Sequence, residues 1–379
     1  MRIIHIADTH LGLSAFHALD ADGMNLRERL LYDHFLSAID QIIAQRPDVL
    51  VHAGDLFDHV RPKNRSFVTV LEALNRLQDA GIPVVAIAGN HSMGKTRYTT
   101  SPFAILEYHG AEFHAAYKYR YSHVELGGAI FHLIPNMLRA EDYRKAFDEM
   151  TPAPGAENVL VTHGLATALS DRRLRTVAEH EIDSTMLSGE LDYIALGHYH
   201  GQQQVGEQAW YSGSLEFLGY GEIHDTKGGL LIDLDRHLVE HLDLPCTPMI
   251  DAGTIDCGEL TAPEISGVLC SLLEEATIPD QTMVQVTLSD LPRDRAKEID
   301  FRSLNHIRER LLDLKVRILA REEDIPVNVP QDLAGIDYRK EFQSFVRQKG
   351  FTETETRYVT SIGDEVLQEV IQREGTDAP

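Results

Sequence analysis

Seven short apolar runs punctuate the first 235 residues: RIIHIA (2–7), DVLVHAG (48–54), PVVAIAG (83–89), AIFHLIP (129–135), NVLVTH (158–163), DYIALGH (192–198) and GLLIDLD (229–235). Each has strand length, and amphipathic stretches of helical spacing lie between them. The clearest cover 25–46 and 64–81, the second closing on Gly81 as a helix stop. Strands alternating with helices predict a layered α/β domain. Near-continuous apolar runs further predict a sheet covered on both faces, and ligand sites in such sheets gather at the strand ends.

A chain of 379 residues exceeds the usual size of one domain, so two or three are expected. The alternation lapses near LDLPCTPM (242–249), where two prolines interrupt it. Residues 1–245 are therefore read as the first domain. Beyond it, a helix is expected at 262–276, a strand at 283–288, a helix at 303–314 and a strand at 315–322, together a smaller α/β domain over 246–322. The stretch 323–337 reads as a linker, and 338–379 as a tail with helical segments at 338–350 and 360–374. Three cysteines without a C-x-x-C pair fit a reducing compartment. The chain enters a strand directly and contains no apolar span of membrane length, so a cytoplasmic protein is expected. A net charge of −24 disfavours a broad basic surface for nucleic acid, although bound divalent cations or a partner subunit would reverse that sign locally.

The polar residues at the strand ends form a series. RIIHIA is followed by Asp8 and His10; DVLVHA by Gly54, Asp55 and Asp58; VVAIA by Gly89, Asn90 and His91; NVLVT by His163; and DYIALG by His198 and His200. If the chain stays extended past the first strand, Asp8 and His10 share one side. A single histidine at a strand end is usually structural, but five strands delivering acid, amide or imidazole to one edge point to metal. Carboxylate, imidazole and amide oxygen without cysteine suit Mn²⁺, Fe²⁺ or Zn²⁺, and the set is large enough for two ions.

In this order, D-x-H, G-D-x-x-D, G-N-H, H-G and G-H-x-H resemble the five motifs of the calcineurin-like metallophosphoesterases over roughly residues 1–245. The segment WYSGSLEFLGYGE (210–222) further resembles the Y-P-G-S-x-E stretch of the SbcD-type nucleases, the nuclease subunits of Mre/Rad break-repair complexes. The resemblance implies a layered calcineurin-like core with a smaller α/β capping domain over the DNA cleft and a helical tail that grips an SbcC/Rad-type ABC ATPase. It also implies a homodimer acting on single-stranded DNA and duplex ends as exonuclease and endonuclease, cytoplasmic and nucleoid-associated when on DNA. Carried over by position, one ion is held by Asp8, His10, Asp55 and His200, and the other by Asp55, Asn90, His163 and His198. Mn²⁺ is the expected metal, and His91 the acid that protonates the leaving oxygen.

Three residues depart from the pattern. Ser92 stands where G-N-H-D is usual, Asp58 where some archaeal relatives carry histidine, and Ser212 where Y-P-G-S has proline. Three rival readings accompany the nuclease: a small-molecule phosphodiesterase or phosphatase of the same fold, a scaffold that binds DNA ends without cutting, and ATP hydrolysis. The last arises because GNHSMGKT (89–96) satisfies G-x-x-x-x-G-K-[ST]. A P-loop needs a helix to start at Gly-Lys-Thr, whereas here the helix signal begins only at Ser101 and Pro102. Lys95 and Arg97 are then candidates for touching the DNA backbone.

Overall fold

The computed structural model describes residues 1–94, 99–167, 169, 181–187, 189, 191–293 and 295–321, together with 342, 343, 345, 346, 356, 359, 360, 362 and 363. Tertiary contacts divide the chain into Met1–Arg321 and Glu322–Pro379. Lys95, Arg97 and the expected linker at 323–337 lie outside the described residues.

The strands of the first unit run β1 (Arg2–Ile6), β2 (Val49–His52), β3 (Val84–Ile87), β4 (Phe113–Ala116), β5 (Ser122–Leu126), β6 (Ala129–Ile134) and β7 (Glu157–His163). They continue with β8 (Leu165–Ala166), β9 (Glu181–Ile182), β10 (Tyr193–Gly197), β11 (Gln203–Gln204), β12 (Ala209–Tyr211), β13 (Gly229–Asp233) and β14 (Leu238–Leu242). The last three are β15 (Met249–Asp256), β16 (Met283–Leu291) and β17 (Asp313–Ala320). The helices are α1 (Leu26–Gln45), α2 (Asn64–Asp79), α3 (Phe103–Leu106), α4 (Ala140–Asp148), α5 (Ala262–Glu275) and α6 (Asn305–Arg308).

Two six-stranded sheets form, ordered β14-β13-β1-β2-β3-β4 and β11-β12-β10-β7-β6-β5. The expected doubly covered sheet is thus two sheets. Alternation along each strand sends one set of side chains between them: Ile3, Val49, Val51 and Val85 meet Phe131, Val159, Val161 and Ala195. The other set faces outward. Ile4, Ile6 and Leu50 pack on Phe35, Ile39 and Ile42 of α1 and on Val70 and Leu74 of α2. Leu160, Ile194 and Leu196 pack with Tyr143 and Ala146 of α4. Both faces of every central strand are therefore buried, which is why the runs read as apolar throughout.

The helix signals hold locally. The Asn25 side chain accepts from the Glu28 amide at 3.1 Å and starts α1. Gly81, with φ of +70°, follows the end of α2 as expected. After the Gly-Lys-Thr segment the next described helix is α3, beginning at Phe103 with Ser101 Oγ accepting from its amide.

In the second part of this unit, β15, β16 and β17 form a parallel sheet with α5 against it, and Ile255, Ile265, Leu269, Val286 and Leu311 lie in a core of their own. Two expectations need correction here. Strand β15 was not anticipated, because its alternation is broken by Gly253 and a register shift between Asp251 and Thr254. The helix expected at 303–314 contracts to a turn at Phe301–Leu304 and α6. Leu304, Ile307 and Leu311 keep helical spacing in the core, but the Leu312 amide bonds Thr282 O at 3.1 Å and draws the chain into β17. In Glu322–Pro379 the nine described residues are helical, Val346 is buried, and a Cβ at Gly363 would overlap the Phe342 ring.

Candidate metal centre

Strands β1, β2 and β3 are neighbours in one sheet, and β7 and β10 are neighbours in the other. Face-to-face stacking therefore brings five strand ends to one place. The loops there are strained: Asp8, His10, Asp55 and His198 have φ of 51°, 45°, 50° and 100°, in the left-handed region. Such backbone costs of the order of 1–3 kcal/mol per residue and persists only where the surroundings over-determine it. They do so here, since the amides of Asp8, His10 and Leu11 bond to the carbonyls of Gly54, Asp55 and Leu56, each at 3.0 Å. Asp8 and His10 thus converge through left-handed turns, which corrects the extended geometry expected for them.

Two glycines leave room for the side chains. A Cβ on Gly54 would overlap the His163 ring, and one on Gly89 would overlap the Asp55 carboxylate. The DVLVHAG and VVAIAG runs end on glycine for this steric reason.

Three groups of donor atoms lie within 4.8 Å of one another: Asp8, His10 and His200; His10, Asp55 and His91; Asp55, His163 and His198. Asn90 Oδ1 is 3.0 Å from His163 Nε2 and 3.1 Å from His198 Nδ1. Asp55 Oδ2 is 3.3 Å from His163 Nε2 and 3.9 Å from His10 Nε2, so its carboxylate stands between the first and last groups. All seven residues expected to hold metal are therefore brought together. His91, expected as an acid, also comes within ligand range.

The donor set fits divalent cations. His10 Nε2 is buried and makes no hydrogen bond, an arrangement that costs free energy unless something binds it. Burial opposes charge on His163, yet Asp55 and Asp8 outweigh it and raise that imidazole to about 9. Burial pushes the Asp8 carboxyl up, while Asp55 is held far below the usual range because His163 and His10 outweigh its burial. The Asp55 and Asp8 carboxylates that favour the charged form of His163 would favour a bound cation in the same way.

The remaining ring nitrogens are fixed. His163 Nδ1 donates to Ala53 O at 2.9 Å, His10 Nδ1 donates to Asp58 Oδ1 at 3.1 Å, and His200 Nδ1 donates to Glu222 Oε1 at 2.7 Å. Asp58 backs His10 with its carboxylate, and its backbone carbonyl accepts from His91 Nδ1 at 2.6 Å. Ser92 is buried, with its hydroxyl 3.5 Å from Phe57 O. Glu222 and Lys227 escaped the sequence reading. Glu222 ends the quoted WYSGSLEFLGYGE segment, but no spacing ties it to His200. A cleft of about 420 Å³ opens over the group, lined among others by Asp55, Asn90, His91, His198 and His200.

The model of the calcineurin-like phosphoesterase family matches residues 1–202. The chain belongs to this family. Membership implies divalent metal ions, and this phosphoesterase also resembles curated archaeal proteins. It is 33% identical over 267 residues to the DNA double-strand break repair protein Mre11 of Methanopyrus kandleri, covering 64% of this chain and 56% of that one. It is 31% identical over 247 residues to Mre11 of Sulfurisphaera tokodaii, covering 61% and 59%. It is 26% identical over 275 residues to Mre11 of Methanocaldococcus jannaschii, covering 68% and 70%. The match thus spans a little over half the length of two of these relatives. No described helix of the phosphoesterase is long and apolar enough to cross a membrane.

Proposed function

We propose that this phosphoesterase is a DNA nuclease that works with two divalent cations, Mn²⁺ by preference, and processes broken DNA ends as exonuclease and endonuclease. The observation that carries the reading is the Asp55 carboxylate, which stands between two groups of donors and can serve both. The likeness to proteins named for DNA double-strand break repair supports DNA as the substrate. One cation position consists of Asp8, His10, Asp55 and His200, the other of Asp55, Asn90, His163 and His198.

Bound divalent cations supply positive charge to a phosphodiester and acidify water beside it. The chain's own residues orient that chemistry. Asp55 is fixed by the His91 amide, which donates to its Oδ1 at 2.9 Å. His91 donates its Nδ1–H to the Asp58 carbonyl, so a leaving sugar oxygen would take its proton from Nε2 of the doubly protonated ring. With a net charge of −24, the chain relies on these cations and on a partner's basic groups to meet DNA. Residues 246–322 would cap the DNA cleft, and 338–379 would dock the SbcC/Rad-type ABC ATPase of a homodimeric complex.

The test is to incubate the purified chain with Mn²⁺ or Mg²⁺ and to compare single-stranded DNA, duplex ends and a phosphodiester dye ester. Cleavage of DNA is expected, with Asp55→Ala abolishing it and lowering metal content towards zero, because both positions lose the shared carboxylate. Hydrolysis of the dye ester alone would point to a small-molecule phosphodiesterase, and two ions retained by Asp55→Ala would overturn the bridging role.

A further inference from the structure

An imidazole that holds a metal must offer the lone pair of one nitrogen, and the hydrogen bond made by the other nitrogen decides which one that is. The Glu222 carboxylate can only accept, so the 2.7 Å bond places the proton of His200 on Nδ1. Nε2 then keeps its lone pair on the side of Asp8 and His10. Glu222 is itself immobilised. Its Oε2 accepts from Lys227 Nζ at 2.7 Å and from the Leu218 amide at 3.0 Å.

Lys227 ties this arrangement at both ends of His200. Its side chain is 2% exposed, and Nζ also donates to His200 O at 3.0 Å and to Ser214 Oγ at 2.9 Å. The ammonium therefore holds both the backbone of the histidine and the carboxylate that orients its ring. Glu222 sits in the turn Tyr220–Glu222, and that turn is anchored on the three-stranded sheet. Tyr220 Oη donates to Asp313 Oδ2 of β17 at 2.7 Å and lies 3.2 Å from Val284 O of β16, while Lys315 Nζ stands 4.9 Å from the centre of its ring.

We propose that Glu222, clamped by Lys227 and seated on β16 and β17 through Tyr220, is the positioning residue that orients His200 for the first cation position. The inference rests on the metal-centre reading above. Glu222 does not act on substrate: both of its oxygens are spent on His200, Lys227 and Leu218. Replacing it should weaken the position that contains His200 and leave the Asn90–His163–His198 position nearly unaffected, since His163 is oriented separately by Ala53 O.

The experiment is calorimetric titration of Mn²⁺ into the metal-free full-length chain, with thermal unfolding of the same metal-free samples. In Glu222→Gln the amide cannot accept from both Nδ1 and Lys227. One of two binding events should weaken by about 10- to 100-fold, the usual cost of losing an outer partner of a metal ligand, while the other shifts less than about threefold. Metal-free unfolding should stay near that of the wild type. Tyr220→Phe removes only the phenol hydroxyl, so the same event should weaken by about fivefold, the worth of roughly one hydrogen bond. That variant carries the test should Glu222→Gln not fold. Wild-type titrations from both variants would overturn the proposal, as would equal weakening of both events with a lowered unfolding temperature, which marks a merely structural residue. A wild-type chain that binds no Mn²⁺ would instead overturn the metal-centre reading itself.

Discussion

His91 separates assembling the site from using it. Its ring is 39% exposed and faces the cleft, and its Nδ1 is committed to the Asp58 carbonyl. His91→Asn keeps a similar size and hydrogen-bonding capacity but cannot deliver a proton near neutrality. Cleavage should fall by about 10²- to 10⁴-fold with metal content near wild type. Metal analysis beside single-turnover cleavage checks this, and loss of an ion would make His91 a ligand, as its closeness to His10 and Asp55 allows. At this scale the sequence was legible where chemistry coincides with a strand end. Asp8, His10, Asp55, Asn90, His163, His198 and His200 all follow apolar runs, and they do meet. The left-handed backbone of Asp8, His10 and Asp55 was not legible, because no glycine marks it and it is imposed by hydrogen bonds between the β1 and β2 loops. Nor were Glu222 and Lys227, whose meeting with His200 depends on how the chain folds back between residues 200 and 227.

Strands β1 and β2 each bury a histidine that belongs to no donor group: His5, with Nδ1 2.9 Å from Tyr193 Oη, and His52, whose Nε2 donates to Thr9 Oγ1 at 3.1 Å. The Thr9 hydroxyl is itself a donor to Leu56 O, which fixes that direction. Burial pushes both imidazoles down to about 3. Both stay neutral in the fold while the unfolded chain takes up a proton below about pH 6.5, so the unfolded state binds more protons and stability falls as pH drops from 6.5 towards 3. Between pH 7 and 5 this costs about 2 kcal/mol for each histidine. His5→Asn removes one such group. In urea unfolding with chelator present, wild type should lose about 2 kcal/mol more than this variant over that pH range, and parallel profiles would refute the neutral, buried state of His5. Elements were legible where both faces are buried, as in β1, β2, β3, β7 and β10. Strands such as β5, half-buried and flanked by Gly127, carried no comparable signal, and the helix expected at 303–314 ends at Arg308, its last two positions, Asp313 and Leu314, pairing with β16.

At the scale of the whole molecule, the compact first unit reaches to within one residue of 322, where the smaller α/β domain is expected to end. The first unit closes at Arg321, whose amide bonds Leu291 O at 2.9 Å and whose guanidinium bonds the Asp290 carboxylate at 2.7 Å and 2.8 Å. The expected linker at 323–337 and the expected tail at 338–379 both fall within Glu322–Pro379. Every donor of the candidate metal centre, Glu222 and the cores of both sheets and of the three-stranded sheet lie before Arg321. A chain ending at Arg321 therefore contains all the described packing that holds those donors, and domain boundaries fall where few contacts cross. It should fold, bind two Mn²⁺ ions and unfold in the same urea range as the core transition of the full chain. The tail's contribution should appear in partner capture: the full chain should co-purify with an SbcC-type ABC ATPase, and the shortened chain should not. If the shortened chain captures the ATPase as well as the full chain does, docking belongs to the first unit. If it cannot hold metal, residues beyond Arg321 are needed to build the centre, and the division of labour proposed here between cutting and docking is wrong.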